Sequence, residues 1–230
     1  MPAASTTLRA LAFSLIASLS VTGCQTLDDA GRAIGRADLV NDLATRLDRA
    51  LELTYSADYQ LTGGRAAAIV QAQKPARSAY TWPGGKLTVT TEATTRCDTG
   101  GAKTVCTLLA PPVVTAKPSV ALFTEAKKHG LITPPVVVGL LTEAALDPQA
   151  VIEQSDTTLA GHHATCVDVR RSTGDFTACV TSEGVLGSFA GRLDGAAMEL
   201  ALTSYTDTVD GASFEVPAGA GIVDRRPTGT

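Results

Sequence analysis

The sequence has no run of about 20 apolar residues, the length a helix needs to cross a bilayer. It has no H-E-x-x-H pair, no phosphate-cradling glycine loop and no G-x-G-x-x-G fingerprint, so the commonest zinc, nucleotide and dinucleotide sites are excluded. No cysteines stand in C-x-x-C spacing, which removes the usual structural zinc frame. Basic residues are outnumbered, 19 Lys and Arg against 23 Asp and Glu, and form no block. That argues against nucleic acid and against electrostatic docking on anionic lipid. Asparagine occurs once, at Asn41, in a chain rich in Ala, Gly, Thr and Arg, a composition typical of GC-rich genes. No internal repeat and no low-complexity block occurs. Hydrophobic content of 44% and charged content of 18% are those of a globular chain.

What is present begins at the N-terminus. Arg9 precedes an apolar stretch from Ala10 to Val21, then the small residues Thr22 and Gly23, then Cys24. A charged start, a short apolar core and small residues at the cut make a secretory signal. Leu19-Ser20-Val21-Thr22-Gly23-Cys24 resembles a bacterial lipobox, in which the cysteine thiol takes a diacylglyceryl group and becomes the first residue after cleavage. The expected organisation is a signal peptide over 1–23, a spacer over 24–37, one domain over 38–224 and a flexible tail over 225–230. Cleavage leaves 207 of the 230 residues. Arg9 departs and every acid stays, so the mature charge is −5.

Four cysteines remain once Cys24 is set aside, and four can form two bridges in an oxidising compartment. A turn centred on Gly101-Ala102 brings Cys97 opposite Cys106 as a non-hydrogen-bonded antiparallel pair, where Cα atoms lie closest. A turn centred on Ser172-Thr173 does the same for Cys166 and Cys179. In that second register Val167 faces Ala178 and Val169 faces Phe176 on one side, while Asp168 faces Thr177 and Arg170 faces Asp175 on the other. Each bridge is expected to contribute about 3 kcal/mol.

Along the chain, residues 25–37 read as a polar spacer, and Asp38 as the cap of a helix reaching about Leu53, with Leu39, Leu43, Leu47 and Leu51 as its apolar stripe. Alternation then predicts strands over 55–61, 66–73, 77–82, 85–91, 92–98 and 103–109. Pro111-Pro112 ends this meander. Ser119 and Gly130 read as the caps of one helix, and Pro134-Pro135 opens a second, apolar on nearly every face from Val136 to Leu141. Asp147-Pro148 predicts a third short helix through Gln154. Strands are expected again over 155–159, 162–170, 176–181, 185–190 and 196–206, followed by an extended Phe214-Glu215-Val216-Pro217.

The order of lipobox, helix, six strands, helical insert, five strands and the ending Phe214-Glu215-Val216-Pro217-Ala218-Gly219-Ala220 resembles the lipoprotein-carrier superfamily, which includes LolA-type carriers and the lipidated LppX/LprG-type proteins of mycobacteria. The resemblance implies an α+β fold: an open, strongly curved antiparallel β-sheet, or half-barrel, of about eleven strands, with the N-terminal helix and the insert on its concave side around an apolar lipid pocket.

Chemistry-bearing clusters are scarce. His162 and His163 are adjacent in a strand and point to opposite faces, so they do not share a metal. Gly187-Ser188-Phe189-Ala190-Gly191 carries its serine second, not third, and lies in a strand pair rather than a nucleophile elbow. No catalytic residue, metal or cofactor is expected. Two function classes stay open for a chain held on the extracytoplasmic face of the membrane by an acylated, palmitate-bearing Cys24. One is an acyl-lipid or glycolipid binder whose pocket is lined by Phe123, Val137, Leu140 and Leu141. The other is a tethered protein-interaction module in which those same residues are core. Cys24→Ala is expected to move the protein from the membrane fraction to a soluble or uncleaved form; unchanged membrane association would overturn the lipobox reading.

Overall fold

The computed structural model describes residues 23–112 and 123–227. The signal segment before Gly23 and the expected cap at Ser119 lie outside them. The chain divides into two units at Leu39–Val40, and helix α1 (Gly23–Ala50) crosses that boundary. The helix therefore starts far earlier than Asp38, and the expected spacer over 25–37 is helical. Asp38 is an exposed mid-helix residue, not a cap.

In the unit from Val40 onward, the buried face of α1 is Val40, Leu43, Leu47 and Ala50, a 3-4-3 spacing that follows one side of a 3.6-residue turn. Leu39 and Leu51, assigned to this stripe from the sequence, are only partly covered. The last carbonyls of a helix have no partners within it. Here they are met from the sheet: the Gln71 side-chain amide donates to the Ala50 and Leu53 carbonyls at 2.9 and 3.2 Å, and that of Gln73 to Leu51 and Leu53 at 2.8 and 3.0 Å.

The sheet follows. Its strands are β1 (Tyr55–Leu61), β2 (Arg65–Gln73), β3 (Ala76–Trp82), β4 (Gly85–Thr90), β5 (Thr94–Asp98), β6 (Val105–Leu109), β7 (Val151–Leu159), β8 (His162–Arg170), β9 (Phe176–Thr181), β10 (Leu186–Leu193), β11 (Ala196–Thr206) and β12 (Gly221–Asp224). Their order is β12-β6-β5-β4-β3-β2-β1-β11-β10-β9-β8-β7, antiparallel throughout except that β12 runs parallel to β6. The sheet is open, curved and unclosed, and the class is α+β as expected. It has twelve strands rather than about eleven.

Alternation in β1 is strict. Tyr55, Ala57, Tyr59 and Leu61 are buried on the inner face. Burial holds the Tyr59 phenol well above its ordinary pKa and pushes that of Tyr80 up to about 12, against a lowering hydrogen bond from Ser78. Both rings thus stay neutral at any ordinary pH. The turns are cut tightly where φ is positive: Ala160-Gly161 and Asp194-Gly195 have both residues left-handed, the signature of two-residue hairpins matched to sheet twist.

Both cysteine pairs sit in the expected register, Cys97 opposite Cys106 and Cys166 opposite Cys179, with Cα separations of 4.0 and 3.9 Å and the sulfurs bonded. Val167 faces Ala178 and Val169 faces Phe176. The charge pair placed next to them is different. Arg170 pairs with Glu153 of β7, and Asp175 instead accepts from the Arg171 backbone N–H at 3.0 Å. The expected two-residue turn at Gly101-Ala102 is a longer loop, since the ladder ends at Asp98 and Val105.

Between β6 and β7 lie α2 (Thr124–Lys128) and α3 (Pro134–Leu146). Gly130, at φ +92°, ends α2 in a Schellman turn: the Leu131 N–H donates to the Ala126 carbonyl and that of Gly130 to Lys127. Phe123 packs edge-on against Tyr80, ring centroids 4.9 Å apart, and seats α2 on the inner face. The third helix expected after Asp147-Pro148 does not form. The Asp147 carboxylate accepts from the Gln149 N–H at 2.9 Å and closes a turn, after which residues 151–159 pair with β8 along their whole length.

After β11 the chain crosses the outer face of the sheet. A 3₁₀ turn at Gly211–Phe214 drops Phe214 onto Val70, Ala72 and Ala79, beneath the Arg77 guanidinium at 4.2 Å from the ring centre. Lys86 Nζ donates to the Glu215 carbonyl at 2.7 Å. Phe214 is thus not part of an extended piece, and Gly221–Asp224, which the sequence does not mark as a strand, is β12 at the sheet edge.

Gly184, at φ +94°, lies where a Cβ would stand 2.5 Å from the Arg46 carbonyl oxygen of α1. Gly184→Ala is expected to combine this clash with a disfavoured backbone and cost about 2 kcal/mol or more in urea unfolding. Wild-type stability in that variant would show that α1 does not bear on this turn.

A charged groove over helix α3

Helix α3 begins with Pro134 and Pro135 at its first two positions, where a missing N–H costs nothing and φ is already helical. Its sequence is apolar on nearly every side, but its environment is not uniform. Val136, Val137, Leu141 and Ala144 are buried, while Val138, Gly139 and Leu140 are half-buried and Thr142 and Glu143 exposed. The four residues singled out as a lipid pocket accordingly separate. Phe123, Val137 and Leu141 are 0–1% exposed, and Leu140 lies apart from them, half-open.

Leu43, Leu47, Leu131 and Ile132 also retain no measurable exposure. Side chains lining a space that admits a water molecule would show some. The interior is therefore packed at these positions, as protein cores are.

The opposite side of α3 borders an open groove of about 620 Å³. Its apolar floor is Val136, Leu140, Phe176 and Leu193, and its charge comes from the bases Lys127, Arg171 and Arg192 and the acids Glu143, Asp147 and Asp194. The β8–β9 loop positions Arg171. Its N–H is tied to Asp175, its Nε donates to the Gly174 carbonyl at 3.3 Å, and its guanidinium lies 5.5 Å from the Phe176 ring centre. The side chain is only 9% exposed, and its carboxylate partner, Glu143, stands 3.3 Å away while 68% exposed. Lys127 Nζ reaches Asp194 at 2.7 Å, and Arg192 donates to the Gly195 carbonyl at 2.7 Å. Phe176 stacks on Phe189 at 5.9 Å, which fixes the floor. The groove thus sets apolar contact beside three cations and three carboxylates.

Sequence reasoning missed Arg171 and Phe176 as groove residues. Arg171 sits second in an Arg-Arg pair before a turn, a position that looks solvated; only the hairpin's return to Phe176 shows that it is covered. The two adjacent histidines part as expected, His162 Nδ1 to Glu183 at 3.0 Å and His163 Nδ1 to the Thr157 carbonyl at 3.3 Å. Cys24 is the second residue of α1. No helix among the described residues is long and apolar enough to cross a membrane.

No family model and no curated protein matches the sequence. Among solved structures the chain is similar to an uncharacterized conserved protein from Thermus thermophilus, at 12% identity and TM-score 0.46, covering 80% of this chain and 98% of that one. It is similar to MucB at 12% identity and TM-score 0.47, covering 80% of this chain and 64% of that one. It is also similar to LprF from Mycobacterium bovis, at 12% identity and TM-score 0.39, covering 79% and 98%.

The two leucines at 140 and 141 provide a direct check on this division of α3. Leu141→Ala is expected to cost about 3 kcal/mol, as for a filled core position, and Leu140→Ala less than about 1 kcal/mol. Urea unfolding followed through Trp82, the single tryptophan, reads both. Equal costs would mean that α3 has no outward face.

Proposed function

We propose that the protein is an exported, Cys24-anchored envelope lipoprotein that acts without catalysis as a protein-interaction module, with the groove over α3 as its contact surface. One observation carries this reading: the side chains expected to line a lipid pocket, Phe123, Val137 and Leu141, are packed to 0–1% exposure, while an open groove borders a different face of the same helix. An acyl chain of a lipid or glycolipid would have to displace α3 to enter, exposing apolar surface at about 25 cal/mol per Å². A partner segment entering the groove displaces only water. The acyl anchor supplies the membrane attachment, and the partner is a second envelope protein.

The experiment is mass spectrometry of the organic extract of the purified protein, combined with site-specific photocrosslinking in cells from position 140 and, as a control, from exposed position 199. The expected result is no co-purifying lipid beyond the covalent anchor and a discrete protein adduct from position 140 alone. Stoichiometric extraction of a free acyl lipid or glycolipid would overturn the module reading in favour of a carrier.

A further inference from the structure

We infer that the groove over α3 receives an acidic, extended segment of its partner, and that a carboxylate of that segment pairs with Arg171 in place of Glu143. The inference rests on the interaction reading above and adds the chemistry of what is bound.

The argument starts from the imbalance between Arg171 and Glu143. A guanidinium withdrawn from water needs a well-placed anion to offset its lost hydration. Arg171 is nine-tenths covered, yet its two hydrogen bonds are both 3.3 Å long, to Glu143 and to the Gly174 carbonyl. Charge-assisted bonds of this kind usually close to about 2.8 Å and are often bidentate. Glu143 makes one long contact from a side chain mostly in water. It is a poor match for a planar fork that presents two parallel donors.

The Phe176 ring and the Gly174 carbonyl fix the guanidinium on the protein side, so its plane is set before anything binds. At the rim Lys127 is held by Asp194, itself 74% exposed. Lys127 is less covered and its pair with Asp194 is short, so Arg171 is the cation of the groove whose carboxylate partner is both distant and largely solvated. Beside it Val136 and Leu140 offer apolar contact to an alternate side chain of an extended segment.

The occupant is a peptide rather than a membrane surface for a steric reason. Arg171 is recessed, and a flat layer of anionic headgroups cannot bring a charge within bonding distance of it. A space of about 620 Å³ suits a few side chains and their backbone, not a folded domain.

The test uses fluorescence anisotropy of a labelled octapeptide of alternating Leu and Glu against the full chain purified from membranes. Saturable binding is expected, at least tenfold weaker for Arg171→Leu, weakened to a smaller extent for Arg171→Lys, and several-fold tighter for Glu143→Gln, which removes the competing carboxylate. Glu153→Gln, which removes a carboxylate on β7 outside the groove, is expected to change nothing. Thermal melts of each variant separate a lost site from a lost fold, and Arg171→Lys preserves the charge if Arg171→Leu does not fold. Affinity unchanged in both Arg171 variants would overturn the inference. So would equal or tighter binding of an alternating Leu-Gln peptide; if Leu140→Asp then abolishes that binding, only the acidic preference fails and the interaction module stands. No binding of either peptide by the folded wild-type chain would overturn the inference, and the interaction reading would then be decided separately by the photocrosslink from position 140.

Discussion

The hydroxyl of Tyr59 donates to the carbonyl of Leu186 at 2.9 Å inside the body of the protein, between residues 127 positions apart. A buried phenol left without a partner would cost about 1–3 kcal/mol. Satisfying it requires β10 to sit at one height relative to β1, across the intervening β11. That requirement sets how the first seven strands in sheet order meet the last five. It also settles where the β9–β10 turn falls, and hence where Gly184 meets the Arg46 carbonyl of α1. The helix, the sheet curvature and the inner aromatic column are three views of one constraint. Gln71 and Gln73 complete it from β2 by taking the carbonyls at the end of α1.

This arrangement explains why α3 divides so sharply into a packed side and a wet one. The inner face is already filled by tyrosines, α1 and the Phe123 edge contact. A helix added there can bury only one side. Its other side is left to the β8–β9 loop and the β10–β11 turn, whose charges reach over it without covering it. The outer face of the sheet is treated differently. There the segment after β11 lays Phe214 onto small side chains, and the Arg77 guanidinium closes over the ring.

Most of the sheet was legible in the sequence because its signals are local. Tyr55 to Leu61 alternates without a fault, and the cysteine spacings fix two registers without further information. What stayed hidden depends on long-range partners. Asp147-Pro148 carries the same residue types whether it caps a helix or closes a turn; the nine pairs between β7 and β8 decide for the turn. The β12 strand is four exposed residues whose only reason to be extended is β6, more than a hundred positions earlier. The residues before Asp38 look like a spacer because they contain Gly31 and Gly35, yet α1 runs through both. Four apolar residues of the insert were grouped because α3 is apolar all round, and a helix of that kind gives no hint in its sequence of which side faces water. Arg171 was invisible for the complementary reason: its covering is made by residues that sequence distance does not bring near it.

The two disulfides each staple neighbouring strands, β5 to β6 and β8 to β9, one on either side of the β1–β11 seam. Neither crosses that seam. Mechanically the sheet is therefore two covalently stiffened wings joined along a noncovalent ladder, and that ladder carries a register irregularity at Asp58 and Tyr59. The groove over α3 lies against one wing, and the Cys166–Cys179 staple ties together the two strands whose loop carries Arg171 and leads into Phe176.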